Sequence, residues 1–169
     1  MAQKPIQLVN GVLTEVEGKV TSAGAGDAGK IPALDGSGKL DISLLPTGLG
    51  PDVKVLTASE GISAGKYVNI WDDAGTPKVR LADNSNSRDA HGFLKDAVIS
   101  GASATIYFEG SNDDLSGLTA GARYYLDTAG GVTSTPPTTG GGAQISQFVG
   151  IAISATEINT DIDDKVVLA

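Results

Sequence analysis

Several patterns in this 169-residue sequence carry residue types that could do chemistry. Gly24-Ala-Gly-Asp-Ala-Gly29-Lys30 has the glycine and lysine spacing of a phosphate-cradling loop, but Ile31 stands where a magnesium-binding hydroxyl is needed. Pro32 then replaces the helix whose N-terminus would face the phosphates, and no apolar strand precedes the loop. Gly61-Ile62-Ser63-Ala64-Gly65 fits a nucleophile elbow, with Asp72, Asp73, Asp83, Asp89 and His91 following in the order Ser, Asp, His. An elbow needs a strand before it and a helix after it; here a strand-like run, KYVNIW, follows. Acidic clusters at Asp72-Asp73, Asp113-Asp114 and Asp161 with Asp163-Asp164 offer oxygens to calcium, yet none has the twelve-residue loop closed by Glu. They read as solvated turns. His91 is the single imidazole and reads as a packed or surface residue. Trp71, Tyr67, Tyr107, Tyr124 and Tyr125 could line a sugar platform, but their place within strand-like runs makes them core or subunit contacts. The expectation is a protein with no catalytic residue, no cofactor site and no metal site.

Composition excludes further classes. Twenty acids against twelve bases give a net charge of −8, the wrong sign for neutralising nucleic-acid phosphates or for lying on an anionic membrane. A neutral or basic surface is the expected partner. With no cysteine, disulfide frameworks, thiolate zinc sites and cysteine nucleophiles are excluded. Apolar runs reach only about five residues, against about 20 for a membrane-spanning helix. The opening MAQKPIQLVNG has no continuous apolar region, so no secretory signal and cytoplasmic synthesis are expected.

The elements follow from glycine punctuation and an internal echo. Twenty-three glycines separate short runs rich in Val, Ile and Tyr, which predicts short strands and tight turns. At an offset of 55 to 56, GISAG-KYVNIW (61–71) echoes GLTAG-ARYYLD (117–127), and each half then turns through Asp-x-Ala-Gly, at 72–75 and 127–130. Phe93, Ala97 and Val98 correspond to Phe148, Ala152 and Ile153, and the halves close with TIYFE (105–109) and KVVL (165–168). Residues 53–169 are therefore expected to be mainly β: a duplicated four-stranded unit, about 53–110 and 111–169, forming a small β-sandwich or barrel. The polar stretches 82–91 and 134–146 are expected to be flexible loops on one rim.

Residues 1–52 differ. Ile6, Val9, Leu13, Val16 and Val20 fall at spacings of three, four, three and four, a heptad seam whose β-branched residues favour three strands. The same stretch also reads as alternation, with Ile6, Leu8, Val12, Thr14 and Val16 on one side, and Gly11 and Gly18 disfavour a helix. The expectation is an extended or short-helical N-terminal arm whose apolar face seeks a partner, followed by a flexible joint at TSAGAGDAG (21–29) and a stiff one at PTGLGP (46–51).

With these residues in view, the chain resembles structural proteins of tailed-bacteriophage particles. The stretch DAGKIPALDGSGKLDISLLPTGLG (27–50) is similar to a linker found in their head-decoration, head-fibre and tail-fibre proteins. EGISAGKYVNIWDDAGTPKVRLAD (60–83), AHGF (90–93), LSGLTAGARYYLD (115–127) and VGIAISATEI (149–158) resemble their β-domains, and the opening resembles the head-attached version. The resemblance implies a capsid decoration, or cement, protein: a homotrimer on the exterior of the virion shell. Its partner would be the major capsid protein lattice, contacted through the arm with Ile6, Val9, Leu13, Val16 and Val20, and the β-domain would face outward. The alternative is a head- or tail-fibre module that binds a host receptor or glycan. No catalytic residues come with the resemblance.

Overall fold

The computed structural model describes residues 4–45, 50–140 and 143–169. The chain divides into two compact units, Met1–Gly50 and Pro51–Ala169. Strands outnumber every other element, and no α-helix occurs among the described residues.

In the first unit, β1 (Ile6–Val9) and β2 (Val12–Glu15) form an antiparallel hairpin in which Val9 pairs with Val12 and Ile6 with Glu15. Asn10 and Gly11 both have positive φ, 51° and 81°. That is the two-residue turn whose twist matches paired strands, and Asn-Gly suits it because both residues tolerate the left-handed region. Of the two arm conformations expected, the chain takes the extended one, but neither proposed face survives. Ile6 and Leu13 share one side of the hairpin, Val9 lies on the other, and Val16, bonded to Pro5 O at 2.9 Å, extends that second side. The alternating set divides as well, because the chain reverses between Leu8 and Val12. Val20 lies beyond the hairpin altogether.

The stretch 21–29, expected to be a flexible joint, is folded on itself. A 3₁₀ turn at Gly24–Asp27 is held by Asp27, whose carboxylate accepts from Ala23 N at 2.8 Å and pairs with Lys19 Nζ at 3.1 Å. A second 3₁₀ turn, Ile42–Leu44, is capped by Asp41. In the joint PTGLGP, residues 46–49 lie outside the described residues.

The second unit holds two five-stranded sheets. The first is a closed barrel of β3 (Val53–Ala58), β4 (Tyr67–Asp73), β5 (Thr76–Leu81), β6 (Gly92–Leu94) and β7 (Ser103–Tyr107), in the order β3-β5-β4-β6-β7. The second is an open sheet of β8 (Gly110–Asn112), β9 (Arg123–Leu126), β10 (Val132–Thr133), β12 (Phe148–Ala152) and β13 (Ile158–Thr160), in the order β10-β9-β12-β13-β8. Matching β8 to β3, β9 to β4, β10 to β5, β12 to β6 and β13 to β7 makes the two orders identical. Each half thus has a fifth, leading strand beyond the four expected. The strand matching β7 is β13, not the closing KVVL run. There Val166–Val167 (β14) instead pairs with Ile145–Ser146 (β11). Parallel pairing of Thr57 with Lys78 and of Ala58 with Val79 closes the barrel. The corresponding edges β8 and β10 are only three and two residues long and stay apart.

Period-2 alternation in the barrel strands builds two cores at once. Val68, Val79, Leu94, Ala104 and Ile106 fill the barrel. Their neighbours Tyr67 and Phe93 point the other way, with Tyr107 packed beside them, onto the second sheet's Leu118, Tyr124, Leu126, Val149 and Ile158. The halves therefore do not share one sandwich; each forms its own sheet, and the second lies on the outside of the first one's barrel wall. Loop 82–91 is part of this seam and not a free rim, since Ala82, Asn84 and Ala90 are buried. Of the 134–146 loop, residues 141–142 lie outside the described residues.

The echoed turns provide a test. Ala74-Gly75 and Ala129-Gly130 all have positive φ, but a Cβ at Gly75 would meet nothing, whereas one at Gly130 would lie 2.5 Å from Tyr67 O across the seam. Gly75→Ala should cost about 1 kcal/mol from the backbone alone. Gly130→Ala should cost clearly more, read as a larger drop in Tm. A fragment starting at Pro51 should melt cooperatively, because every buried core residue among those described lies after it.

Candidate functional site

Where the second sheet lies on the barrel, the seam opens into a groove of about 1020 Å³. Ile70 of β4 and Asp89, Ala90 and His91, just before β6, form one wall; Phe108 and Glu109 follow β7. Gln147 and the run from Thr160 to Lys165 form the other side.

Asp89 organises the groove. Its Oδ1 accepts from Lys165 Nζ at 3.0 Å, its Oδ2 lies 3.4 Å from His91 Nε2, and its carbonyl accepts from Asn69 Nδ2 at 2.9 Å. Burial alone would raise the pKa of this carboxyl, but Lys165 and His91 outweigh it and hold the group below its ordinary value. His91 Nδ1 accepts the backbone N–H of Ile70 at 2.9 Å, which leaves the ring proton of the neutral imidazole on Nε2, toward Asp89.

This Asp–His pair resembles part of a catalytic triad and cannot work as one. A general base needs a free acceptor nitrogen facing a nucleophile, and the acceptor of His91 is occupied by Ile70. The elbow serine, Ser63, is exposed in the turn before β4 and does not line the groove. The one hydroxyl that does, on Thr160, is buried and bonded to Tyr67 Oη at 3.1 Å.

The other sequence candidates resolve into structure. In the phosphate-loop-like string, Asp27 already occupies the Ala23 amide and Lys19, as an anion would. Asp72 accepts from Gly75 N at 3.1 Å, and Asp73 pairs with Lys78. Asp161, Asp163 and Asp164 line the groove. Among the described residues, no three His, Asp or Glu side chains converge on a metal position. Tyr67 and Tyr124 are buried, and Tyr124 Oη accepts from Thr119 N. Trp71 is half-buried, donates to Ser59 Oγ at 3.1 Å and lies 4.8 Å beneath the Arg80 guanidinium. Tyr125 meets Phe148 edge to face, with Arg123 over the Phe148 ring at 4.0 Å. The five aromatics do not assemble into one platform.

Sequence reasoning missed the buried amides that join the halves. Gln147 accepts from Ala90 N at 2.7 Å and donates to Ala90 O and Asp163 O, both at 3.0 Å. Asn84 Nδ2 donates to Leu126 O and Asn112 Nδ2 to Gly65 O, at 3.0 and 2.9 Å. A lone amide inside an apolar run, as in QISQFVG (144–150), was the one available signal.

A carboxyl whose pKa is depressed by folding stabilises above the unfolded value, about 4, and loses that contribution as pH falls through the lower folded value. Asp89→Asn should therefore lower Tm at pH 7, and its curve should merge with that of the unaltered protein once the pH has fallen through the lowered folded pKa of Asp89. A gap that persists in acid would show that Asp89 acts through packing instead. Ser63→Ala should change neither Tm nor any binding.

No protein-family model and no curated protein matches the chain. Among solved structures it is similar to the N base of the head fibre gp8.5 of bacteriophage phi29, at 12% sequence identity and a TM-score of 0.43, over 69% of this chain and 92% of that one.

Proposed function

We propose that this chain is a structural protein of a bacteriophage particle, a homotrimer that decorates and stabilises the outer surface of the capsid. Its partners are the major capsid protein lattice and its own copies; it takes no cofactor and does no chemistry. The observation that carries this reading is the imbalance between the two units. None of the described residues of Met1–Gly50 is buried, and Ile6, Leu8, Val9, Val12, Leu13, Val20, Leu34, Leu40, Ile42 and Leu45 stand exposed there. Every buried core residue among those described lies in the second unit. A segment with that much aliphatic surface and no core of its own gains stability by docking.

The second unit suits the solvent side. Its groove is lined by Asp89, Glu109, Asp161, Asp163 and Asp164 against Lys165 and His91, and its one histidine has no free base nitrogen. The resemblance of 27–50 to the linkers of virion proteins supports the same assignment. One arm of this size binds weakly, but three joined through a common assembly make the later contacts intramolecular, a gain of about 10² to 10⁴. A threefold or quasi-threefold position on the shell offers three equivalent edges to such a trimer.

Light scattering after size exclusion should give about three times the chain mass of 17.0 kDa. In co-sedimentation with undecorated capsids, the full chain should pellet and the fragment starting at Pro51 should stay in the supernatant. Equal pelleting would place the contact in the β-domain. Attachment to host cells without attachment to capsids would favour the fibre reading.

A further inference from the structure

The arginines of this chain are Arg80, Arg88 and Arg123, and the ion pairs among the described residues use none of them; all are made by lysine or His91. In a chain with a net charge of −8, carboxylates are plentiful, so a guanidinium left without one needs a reason. At Arg80 and Arg88 the fold supplies it.

One buried amide holds both residues in place. Asn69, 4% exposed, accepts from Arg80 Nε at 3.0 Å through Oδ1 and donates from Nδ2 to the carbonyl of Asp89, the residue after Arg88, at 2.9 Å. Arg80 on β5 is the cross-strand neighbour of Asn69 on β4. Arg88 ends a tight turn closed by two backbone bonds to Asp83, at 2.7 and 3.2 Å. Both arginines are half-buried. The Arg80 guanidinium also lies 4.8 Å over the Trp71 ring, whose N–H is bonded to Ser59 Oγ. With Nε used on Asn69, Arg80 keeps its terminal N–H groups for another acceptor. Partial burial, and then the neighbouring Arg88 charge, hold its pKa below the ordinary value against a smaller opposing pull from Glu60.

The carboxylates around the pair are committed elsewhere. Glu60 accepts from Leu81 N at 2.8 Å. Asp83 accepts from Ser85 N, Ser85 Oγ and Ala129 N. Asp89 meets Lys165 and His91.

We infer that Arg80 and Arg88 form a binding site for a compact, doubly charged oxyanion of the phosphate or sulfate class. Two like charges held near one another with no carboxylate between them repel. An oxyanion bridging them removes that repulsion and gives each guanidinium the forked acceptor its geometry matches. Asn69, Trp71 and the 83–88 turn fix the donors before the ligand arrives, so little ordering is left to oppose binding. A halide brings charge but no second acceptor oxygen, and the site should therefore discriminate against it.

Trp71 is the one tryptophan of the chain, so its emission reports on Arg80 directly. Titrating the full chain with sodium sulfate, and separately with sodium phosphate, should change that emission along a saturable curve, with sodium chloride at matched ionic strength as the reference. Both oxyanions should also raise Tm, as a ligand that binds only the folded chain does. Arg88→Gln leaves the Trp71 contact in place and should weaken binding about tenfold or more, the loss of a charged hydrogen-bonding group. Arg88→Lys, which keeps the charge without the fork, should weaken it by a smaller factor. An equal response to chloride would mean screening alone and would overturn the inference. Unchanged sulfate and phosphate affinity in an Arg88→Gln chain that melts cooperatively would overturn it too, as would flat emission together with an unmoved Tm.

Discussion

The second unit depends on a row of three aromatic side chains that face out of the barrel. Tyr67, Phe93 and Tyr107 are cross-strand neighbours on β4, β6 and β7, with ring centroids 6.1 and 5.7 Å apart. The ring-to-ring terms add about 0.5–1.5 kcal/mol each, less than the 3–5 kcal/mol that truncating a buried Phe removes. What matters most is that a barrel wall apolar on its outer side must be covered, and the second sheet covers it. Strand alternation ties the two cores together, since Val68, Leu94 and Ile106 fill the barrel from residues adjacent to the aromatic row.

Polar groups on the seam then fix how the cover sits. Loop 82–91, the second sheet and the turn at Gly65 leave backbone donors and acceptors without ladder partners, and Gln147, Asn84 and Asn112 satisfy them from side chains. An unmet buried group costs about 1–3 kcal/mol, so a shifted placement would forfeit several such bonds at once. The same economy reaches into the groove. Its histidine and its one hydroxyl are already committed, to Ile70 N and to Tyr67.

Much of this was legible from residue types, and the failures have physical causes. The Asp-x-Ala-Gly echo exposed the repeat because both copies need positive φ at the same two positions. The fifth strand of the second half, Gly110-Ser111-Asn112, has no β-branched or aromatic residue to signal it, and pairing with β13 alone makes it a strand. Asn10-Gly11 between two apolar runs is a strong hairpin signal, yet the accidental three-and-four spacing of the surrounding aliphatics competed with it. Loop 82–91 was misplaced because polar composition does not reveal whether a side chain's partner is water or a buried peptide group. The arm's apolar surface was legible in kind; its division over two faces needed the register.

The second unit builds two cores of its own, whereas none of the described residues of the first unit is buried. The most direct measurement is an electron-microscopy density map of the virion at low resolution, with and without this protein. The account predicts difference density outside the shell in groups of three at threefold or quasi-threefold positions. Difference density confined to the tail, or single unclustered copies on the shell, would contradict it.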